Sequence, residues 1–147
     1  MPKISRIRTS AKGFIVHKGK ILVVKENVID KHGASIIHDV PGGGVELGES
    51  LREALEREVI EEVGLKIKIA HPVGGWDFVL EKHDENLHIV CLGYQCELIG
   101  EPSIDTSKNP AAYEDIFETL WLTKEEILAG QLFRNDDMHK ALMHVKV

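Results

Sequence analysis

Three glutamates in one stretch of this chain have a spacing that suggests chemistry. Glu58, Glu61 and Glu62 lie three and four positions apart in the segment from Gly43 to Leu65. On an α-helix, side chains at that spacing project from one face, and like charges there repel by about 0.2–0.5 kcal/mol per pair. A divalent cation between the carboxylates would remove the repulsion, whereas the alternative is a solvated acidic helix face. The pattern therefore indicates either a metal site or a charged surface.

Capping residues and an apolar stripe predict where this helix lies and which side is buried. Ser50, with Glu53 three positions later, is typical of an N-cap and capping box, and Gly64 suits a left-handed helix end. An apolar residue recurs every four positions between them: Leu51, Leu55, Val59 and Val63. That stripe lies beside the glutamates by helical angle, so we expect the glutamates at the edge of the buried side.

A glycine-rich loop precedes the helix and adds backbone oxygens to the carboxylates. Pro41 is followed by Gly42, Gly43 and Gly44, which lets the chain bend sharply and approach a ligand closely. Carboxylate and carbonyl oxygens are hard ligands that suit Mg²⁺ or Mn²⁺ far better than zinc. A cation of this kind also takes phosphate oxygens as ligands and can activate a water molecule for attack. Arg57 lies beside the glutamates and can hold a carboxylate in place.

The spacing of the whole segment resembles a known family signature. The pattern is glycine, five residues, glutamate, seven residues, then Arg-Glu-apolar-x-Glu-Glu-x-Gly-apolar. It is met by Gly43, Glu49, Arg57, Glu58, Val59, Glu61, Glu62, Gly64 and Leu65. This run resembles the Nudix box of the Nudix hydrolases at every defining position. The resemblance implies an α/β fold, an α/β/α sandwich with a mixed sheet and a loop–helix–loop catalytic segment.

The resemblance also implies roles for individual residues. Glu58, Glu61 and Glu62 would bind Mg²⁺, or Mn²⁺ in its place, with help from the carbonyl of Gly42. The implied catalytic group comprises Glu58, Glu61, Arg57 and Glu118. Glu58 is one candidate for the general base, and Glu114, Asp115 and Glu118 are the others, because relatives differ in this respect. Glu49 would support the loop.

Two cations and one aromatic residue are candidates for substrate binding. Lys25 and Arg8 lie on predicted strands, and relatives often place a cation near Lys25 against phosphate; the alternative for both is a solvated surface cation. Trp76, in a Gly-Gly-Trp-Asp-Phe stretch, is the better candidate to stack on a base, the alternative again being a structural role. Trp121 lies on an apolar strand and is expected in the core.

Length and charge limit the classes of protein that this chain can represent. Its 147 residues suit a single domain over residues 1–147. The net charge of −6, with no basic stripe, argues against duplex nucleic acid as the main partner. No segment has the length of a membrane span or the apolar centre of a signal peptide, so we expect a cytosolic protein. Cys91 and Cys96 fall on opposite faces of a strand and are expected to be free thiols.

The remaining elements predict a mixed sheet covered by helices on both faces. Strands are expected from Ile7 to His17, Lys20 to Glu26 and Ile116 to Leu122, with the most apolar and central strand from Leu87 to Ile99. Residues Asn27 to Ile37 are polar and are expected to form a loop. Further strands are predicted from Leu65 to Ala70 and from Trp76 to Glu81, separated by Pro72 and Gly74. Short helices are expected after Thr123 and from Asp136 to His144.

The leading functional hypothesis is Mg²⁺-dependent hydrolysis of a pyrophosphate bond in a nucleoside diphosphate linked to another group. A non-catalytic sensor domain for nucleotide metabolites is the main alternative, although degenerate sensor domains tend to lose the glutamates present here. Isomerases that act on isoprenyl diphosphates share this fold, but their box departs from the pattern found here. NTPs, dNTPs, ADP-ribose-like compounds and nucleotide sugars all stay open as substrates. The resemblance is compatible with a homodimer, but no sequence feature defines an interface.

Overall fold

The computed structural model describes residues 3–109 and 114–147. Seven strands and three helices occur in these ranges. In chain order they are β1 (Ile4–His17), β2 (Lys20–Asp30), β3 (Gly33–Asp39), β4 (Gly42–Gly44), α1 (Leu51–Val63), β5 (Lys66–Glu81), β6 (Glu85–Ile99), β7 (Glu114–Leu122), α2 (Lys124–Gly130) and α3 (Asp136–Met143).

One mixed sheet contains all of these strands. Its main order is β3-β2-β1-β6-β5, with β4 paired to β1 and β7 paired to β2. Strands β1 and β6 run parallel over a long register, from Ile4 opposite Glu85 to Val16 opposite Glu97, and the other pairs are antiparallel. Strand β6 lies between β1 and β5, which confirms the prediction that the most apolar strand is internal.

Helices cover both faces of the sheet and bury a separate core on each. On one face, Leu55, Val59 and Val63 of α1 pack with Ile15 and other buried strand residues. On the other face, residues from α2 and α3 pack around the buried ring of Phe14. The architecture is therefore the α/β sandwich that the sequence predicts, with the glycine loop and α1 at one side of the sheet.

The predicted N-cap and the predicted glycine end of α1 are confirmed. Ser50 Oγ accepts a hydrogen bond from the Glu53 backbone N–H at 3.1 Å, and Gly64 ends the helix in the left-handed region at φ 71°. The buried side of the helix includes Val59 and Val63, and Glu62 is buried with them. The apolar stripe therefore carries one of the glutamates into the interior, at the edge of the sheet.

The predicted loop from Asn27 to Ile37 is wrong, because most of this segment is an antiparallel hairpin. Strand β2 continues to Asp30 and pairs with β3, with Val28 opposite Ser35. Asp30 Oδ1 accepts from the backbone N–H of His32 at 2.8 Å, which stabilises the turn. Polar side chains suit this edge of the sheet since β3 is exposed over much of its length. The polar sequence of this exposed edge strand therefore looked like a loop.

A second difference concerns the predicted break between two strands near Pro72. The chain forms one strand, β5, and the irregular residues appear as register shifts between Ile69 and Pro72 and between Pro72 and Gly74. Irregularities of this kind accommodate a proline without ending the pairing.

Both cysteines are buried free thiols, as predicted. Cys91 belongs to the core under α2 and α3, and Cys96 to the core under α1, so the sheet separates them. Among the described residues, no helix combines the length and the apolar content needed to cross a membrane.

Candidate active site

A cavity of about 340 Å³ opens between the glycine loop, the acidic face of α1 and one face of the sheet. Its lining divides into two parts. The charged part includes Arg8, Lys12, Glu26, Asp39, Arg57, Glu58, Glu61 and Glu62. The apolar part includes Val28, Phe78, Leu80, Leu87, Ile89 and Ile116. The cavity therefore offers a ligand both charged groups and an apolar surface, with Arg134 next to Phe78.

Arg57 connects the loop to the acidic face of α1. Its Nε donates to Glu49 Oε2 at 2.7 Å, and its Nη2 donates to the Gly44 carbonyl at 3.1 Å. Its Nη1 donates to Glu58 at 3.0 Å and to Glu61 at 3.2 Å. The hydrogen bond from Arg57, helped by the Glu46 N–H, lowers the pKa of Glu49 to about 2, and the Glu49 bond raises the pKa of Arg57. One planar fork thus orders three carboxylates.

The glycine loop lies so close to the sheet that Gly42 must be glycine, and it also lies close to α1. Gly42 has φ 134°, and a Cβ at this position would overlap the carbonyl oxygen of Ala11. A Cβ on Gly43 would lie 2.6 Å from a carboxylate oxygen of Glu58. The Gly42 backbone N–H also donates to Glu62 at 3.4 Å. The loop backbone therefore lies directly on two of the predicted metal ligands.

Glu62 is a buried carboxylate in a crowded acidic environment. Glu62 is 6% exposed. Burial raises its pKa well above the usual value, Lys12 opposes this rise, and Glu26 and Glu58 add to it. A nearby cation would stabilise the charged form of a carboxyl group in this position.

Lys12 provides a cation beside Glu62, and sequence reasoning missed it. Its Nζ lies 3.4 Å from Asp39 Oδ2 and donates to the Gly42 carbonyl at 3.3 Å. Burial alone would lower its pKa, but the negative charges of Asp39, Glu26 and Glu62 raise that pKa above the ordinary value. The signal in the sequence was a single lysine within the apolar run from Ala11 to Val16.

The predicted metal ligands line one cavity, and three of them, Glu58, Glu61 and the Gly42 carbonyl, are bonded to side-chain cations. Within residues 3–109 and 114–147, no three His, Cys, Asp or Glu side chains are grouped so as to hold a metal ion. Glu58 and Glu61 instead bond to Arg57, and the Gly42 carbonyl bonds to Lys12. The available donors are all hard oxygens, so their chemistry suits Mg²⁺ or Mn²⁺, although the described carboxylates are not grouped around one point.

The three predicted substrate-binding residues have different locations. Arg8 lines the cavity, with its guanidinium packed where a Cβ on Gly44 would lie. Lys25 is not among the cavity-lining residues and pairs with Glu118 at 3.2 Å, so its phosphate contact stays a prediction that this geometry does not favour. Trp76 must be reassigned from base stacking to the core: it is 4% exposed and packs edge-on against Phe14 at 5.9 Å between ring centroids.

The fold separates two of the candidate general bases, Glu58 and Glu118. Glu58 lines the cavity. Glu118 lies on β7 opposite Lys25, and its side chain, 45% exposed, is not part of the cavity wall. The side chains of Glu114 and Asp115 fall outside the described residues. Glu58 is therefore the candidate whose described side chain lies next to the loop and to Arg57.

The apolar part of the cavity wall was not predicted from the sequence. Phe78 and Leu80 alternate along β5, and Leu87 and Ile89 alternate along β6, so all four face the cavity. The Arg134 guanidinium lies 4.1 Å from the centroid of the Phe78 ring. The alternation was visible in the sequence, but only the pairing of the strands showed which face bounds a cavity.

A mixed sheet between helices, with a glycine loop and an acidic helix at one end of a cavity, defines the class of proteins to which this one should be compared. The family model described as "NUDIX domain" matches residues 7–143. The chain therefore belongs to the Nudix family, which confirms the resemblance of its box.

Individual relatives match only parts of the chain. It is 35% identical over 74 residues to "Nudix hydrolase 17, mitochondrial" of Arabidopsis thaliana, covering 50% of this chain and 37% of that protein. It is 27% identical over 93 residues to "Nucleoside triphosphatase NudI" of Klebsiella pneumoniae subsp. pneumoniae, covering 58% and 61%. Both matches span less than two thirds of the relative's length.

Structural comparison supports the fold over nearly the whole chain. The crystal structure of a MutT Nudix hydrolase from Burkholderia pseudomallei has a TM-score of 0.70 at 23% identity, covering 96% of this chain and 99% of that one. At this level of identity the likeness concerns the architecture.

Proposed function

We propose that this protein is a Mg²⁺-dependent pyrophosphohydrolase acting on a nucleoside diphosphate linked to another group. The observation that carries the proposal is the placement of Glu58, Glu61 and Glu62 around one end of a cavity, beside the glycine loop. Family membership supports hydrolysis as the class of reaction. Mn²⁺ is the expected substitute for Mg²⁺.

In the proposed reaction, water attacks one phosphorus of the pyrophosphate, and the bond from that phosphorus to the bridging oxygen breaks. The bridging oxygen leaves with the other phosphate, and the proton of the attacking water passes to a carboxylate. Glu58, Glu61, Glu62 and the Gly42 carbonyl would hold the metal, which would stabilise charge on the phosphate and make the bound water more acidic. Glu58 is the candidate base, positioned by Arg57 at 3.0 Å.

The two parts of the cavity suggest how a substrate would lie. Arg8 supplies a positive charge within the cavity lining and is our candidate for binding a phosphate oxygen of the substrate. Phe78 and its neighbours offer an apolar surface for a ring or another organic group. One relative is named a nucleoside triphosphatase, which supports a nucleotide as the organic part. NTPs, dNTPs, ADP-ribose-like compounds and nucleotide sugars all combine charged phosphates with a base whose ring face can lie on an apolar surface.

A substrate panel tests the proposal. The purified protein is incubated with these four classes of compound, with Mg²⁺ or with EDTA, and phosphate or nucleotide products are measured. The Glu61→Gln/Glu62→Gln variant should lose activity on the order of a hundredfold or more, the scale of removing one strong electrostatic contact. Glu56→Gln is the matched control, since Glu56 is exposed on the same helix and does not line the cavity.

Two outcomes would contradict the proposal. If the double variant hydrolysed every substrate as fast as the unaltered protein, the site assignment would be wrong. If no compound were hydrolysed but one bound tightly, the protein would be a sensor of nucleotide metabolites. The cytosolic location and the homodimer stay predictions from the sequence.

A further inference from the structure

Lys12 lies on the floor of the cavity, at the meeting point of the glycine loop, β1 and α1. Strand β1 places alternate residues Arg8, Ser10 and Lys12 on the cavity face. Arg8 reaches towards Gly44, whereas Lys12 lies deeper and is 7% exposed. The backbone of Lys12 is also paired with Gly42 in the β1–β4 ladder, so both its main chain and its side chain contact the loop.

Three carboxylates act on this one ammonium group. Asp39 lies 3.4 Å from Nζ, and Glu26 and Glu62 act on Lys12 through their charges. These two glutamates are 5% and 6% exposed, so water screens them poorly. A buried acidic group without a cation is strongly unfavourable, because the charges have lost their hydration and repel one another.

Lys12 also forms a hydrogen bond to a backbone oxygen that the proposed metal would need as a ligand. Its Nζ donates to the Gly42 carbonyl at 3.3 Å, and the Gly42 N–H donates to Glu62 at 3.4 Å. The ammonium group and the proposed metal therefore share one oxygen ligand and one carboxylate neighbour.

We propose that Lys12 is a resident counter-cation that keeps the metal-free site folded, and that it competes with the divalent cation for the Gly42 carbonyl and the buried carboxylates. This role rests on the metal site of the proposed function. Binding of the metal takes over the neutralisation that Lys12 provides, so Lys12 stabilises the protein without metal at the expense of metal affinity. Lys12 is in this sense a positioning residue of the loop and not a member of the reacting group.

The test uses metal binding and stability, without turnover. Lys12→Met keeps most of the side-chain length and removes the charge, and Lys12→Arg keeps the charge. Lys31→Met is the matched control, since it also removes the cation of an ion pair, with Glu81, at a residue that does not line the cavity. Mn²⁺ affinity is measured by calorimetry, and Tm is measured in EDTA and in excess Mn²⁺.

We expect Lys12→Met to have a lower Tm than the unaltered protein in EDTA and to gain more Tm on adding Mn²⁺. Its Mn²⁺ affinity should rise by about tenfold, because a like charge next to the metal has been removed. Lys12→Arg should keep a Tm in EDTA close to that of the unaltered protein. Lys31→Met should change neither the Mn²⁺ affinity nor the gain in Tm.

Equal or weaker Mn²⁺ binding by Lys12→Met, or an equal gain in Tm, would overturn the proposal. If Lys12→Met does not fold, the Lys12→Met/Asp39→Asn variant carries the same comparison, since removing one carboxylate lowers the uncompensated charge. An unaltered protein that binds no Mn²⁺ would refute the metal site of the proposed function. If the unaltered protein binds Mn²⁺ as tightly as Lys12→Met or more tightly, only the role of Lys12 would be refuted.

Discussion

Arg57 Nε lies 2.7 Å from Glu49 Oε2, a contact that joins α1 to the loop before it. The same guanidinium reaches Glu58 and Glu61 through Nη1. The position of two candidate metal ligands is thus tied to a loop residue eight positions before the arginine. Arg57 is therefore a positioning residue whose planar fork sets the geometry of the acidic face.

Replacing Arg57 by lysine should reduce activity while the fold is kept. Lysine retains the charge but cannot bond to Glu49, Glu58 and the Gly44 carbonyl together. Loss of one charge-assisted hydrogen bond, about 1.5–3 kcal/mol, corresponds to a fall of roughly 10–100-fold in kcat/KM. Initial rates with saturating Mg²⁺ measure the effect, and circular dichroism checks the fold.

Arg52→Lys is the control for this substitution. Arg52 lies on the same helix and donates to the carbonyls of Ile69 and Ala70, away from the cavity. We expect its kcat/KM to stay within about twofold of the unaltered protein, as for surface changes in general. Equal losses for the two variants would mean that Arg57 acts only through helix stability.

Replacing Gly44 by alanine should weaken substrate binding by displacing Arg8. The new Cβ would overlap the Arg8 guanidinium, which is the end of a flexible side chain and can move without breaking the fold. We expect KM to rise by about tenfold with little change in Tm, as for the loss of one charge-assisted contact. Steady-state kinetics and thermal unfolding measure the two quantities.

Arg8→Ala should produce a similar rise in KM, and the double variant should add little, because both changes remove the same contact. Arg6→Ala is the control, since Arg6 pairs with Glu85 at 3.3 Å and does not line the cavity. Fully additive effects of Gly44→Ala and Arg8→Ala would show that Gly44 acts by another route.

Replacing Phe78 by alanine should weaken binding of substrates that carry a ring. Phe78 lies on the apolar wall with the Arg134 guanidinium against its ring. Loss of a stacking contact of about 1–3 kcal/mol predicts a KM increase of roughly 5–100-fold for nucleotides. Inorganic tripolyphosphate, which has no ring, should bind the variant and the unaltered protein equally well.

Val79→Ala is the matched control for Phe78, because Val79 is the next residue of β5, is 56% exposed and does not line the cavity. An equal loss of tripolyphosphate and nucleotide binding in Phe78→Ala would contradict an apolar binding surface.

The Glu49–Arg57 pair should stabilise the protein above a pH of about 4.5 and lose this effect in acid. The folded pKa of Glu49 is about 2, below its ordinary value of 4.5, so the folded protein binds the proton less readily than the unfolded chain. The difference in Tm between the unaltered protein and Glu49→Gln should stay constant from pH 7 to about 5 and shrink towards pH 2. Thermal unfolding across this range measures it.

Glu56→Gln serves as the reference, since Glu56 is exposed on α1 and lies outside the cavity. Its Tm difference should not follow the same pH dependence. A Glu49→Gln difference that stays unchanged down to pH 2 would show that the pair does not hold its pKa low.

Local patterns in the sequence predicted the helix and its capping residues, because the signals lie within a few residues of one another. Ser50 and Gly64 define the ends of α1, and the spacing of Glu58, Glu61 and Glu62 places them on one side. The same local reasoning failed for β3, whose polar residues are typical of a loop until Val28 and Ser35 are paired. It also misplaced Trp76, because composition does not show which side of a strand faces a core.

The amino-acid sequence by itself determined the family, the α/β class and the acidic helix, since these depend on spacing along the chain. Only the tertiary structure brought Lys12 of β1 next to Asp39 and the Gly42 carbonyl, and made the apolar residues of β5 and β6 line the same cavity as the glutamates of α1. The physical reason is that burial and Coulomb attraction act between atoms close in space. Asp39 and Gly42 lie 27 and 30 positions after Lys12 in the chain, so strand pairing had to bring them together before these groups could interact.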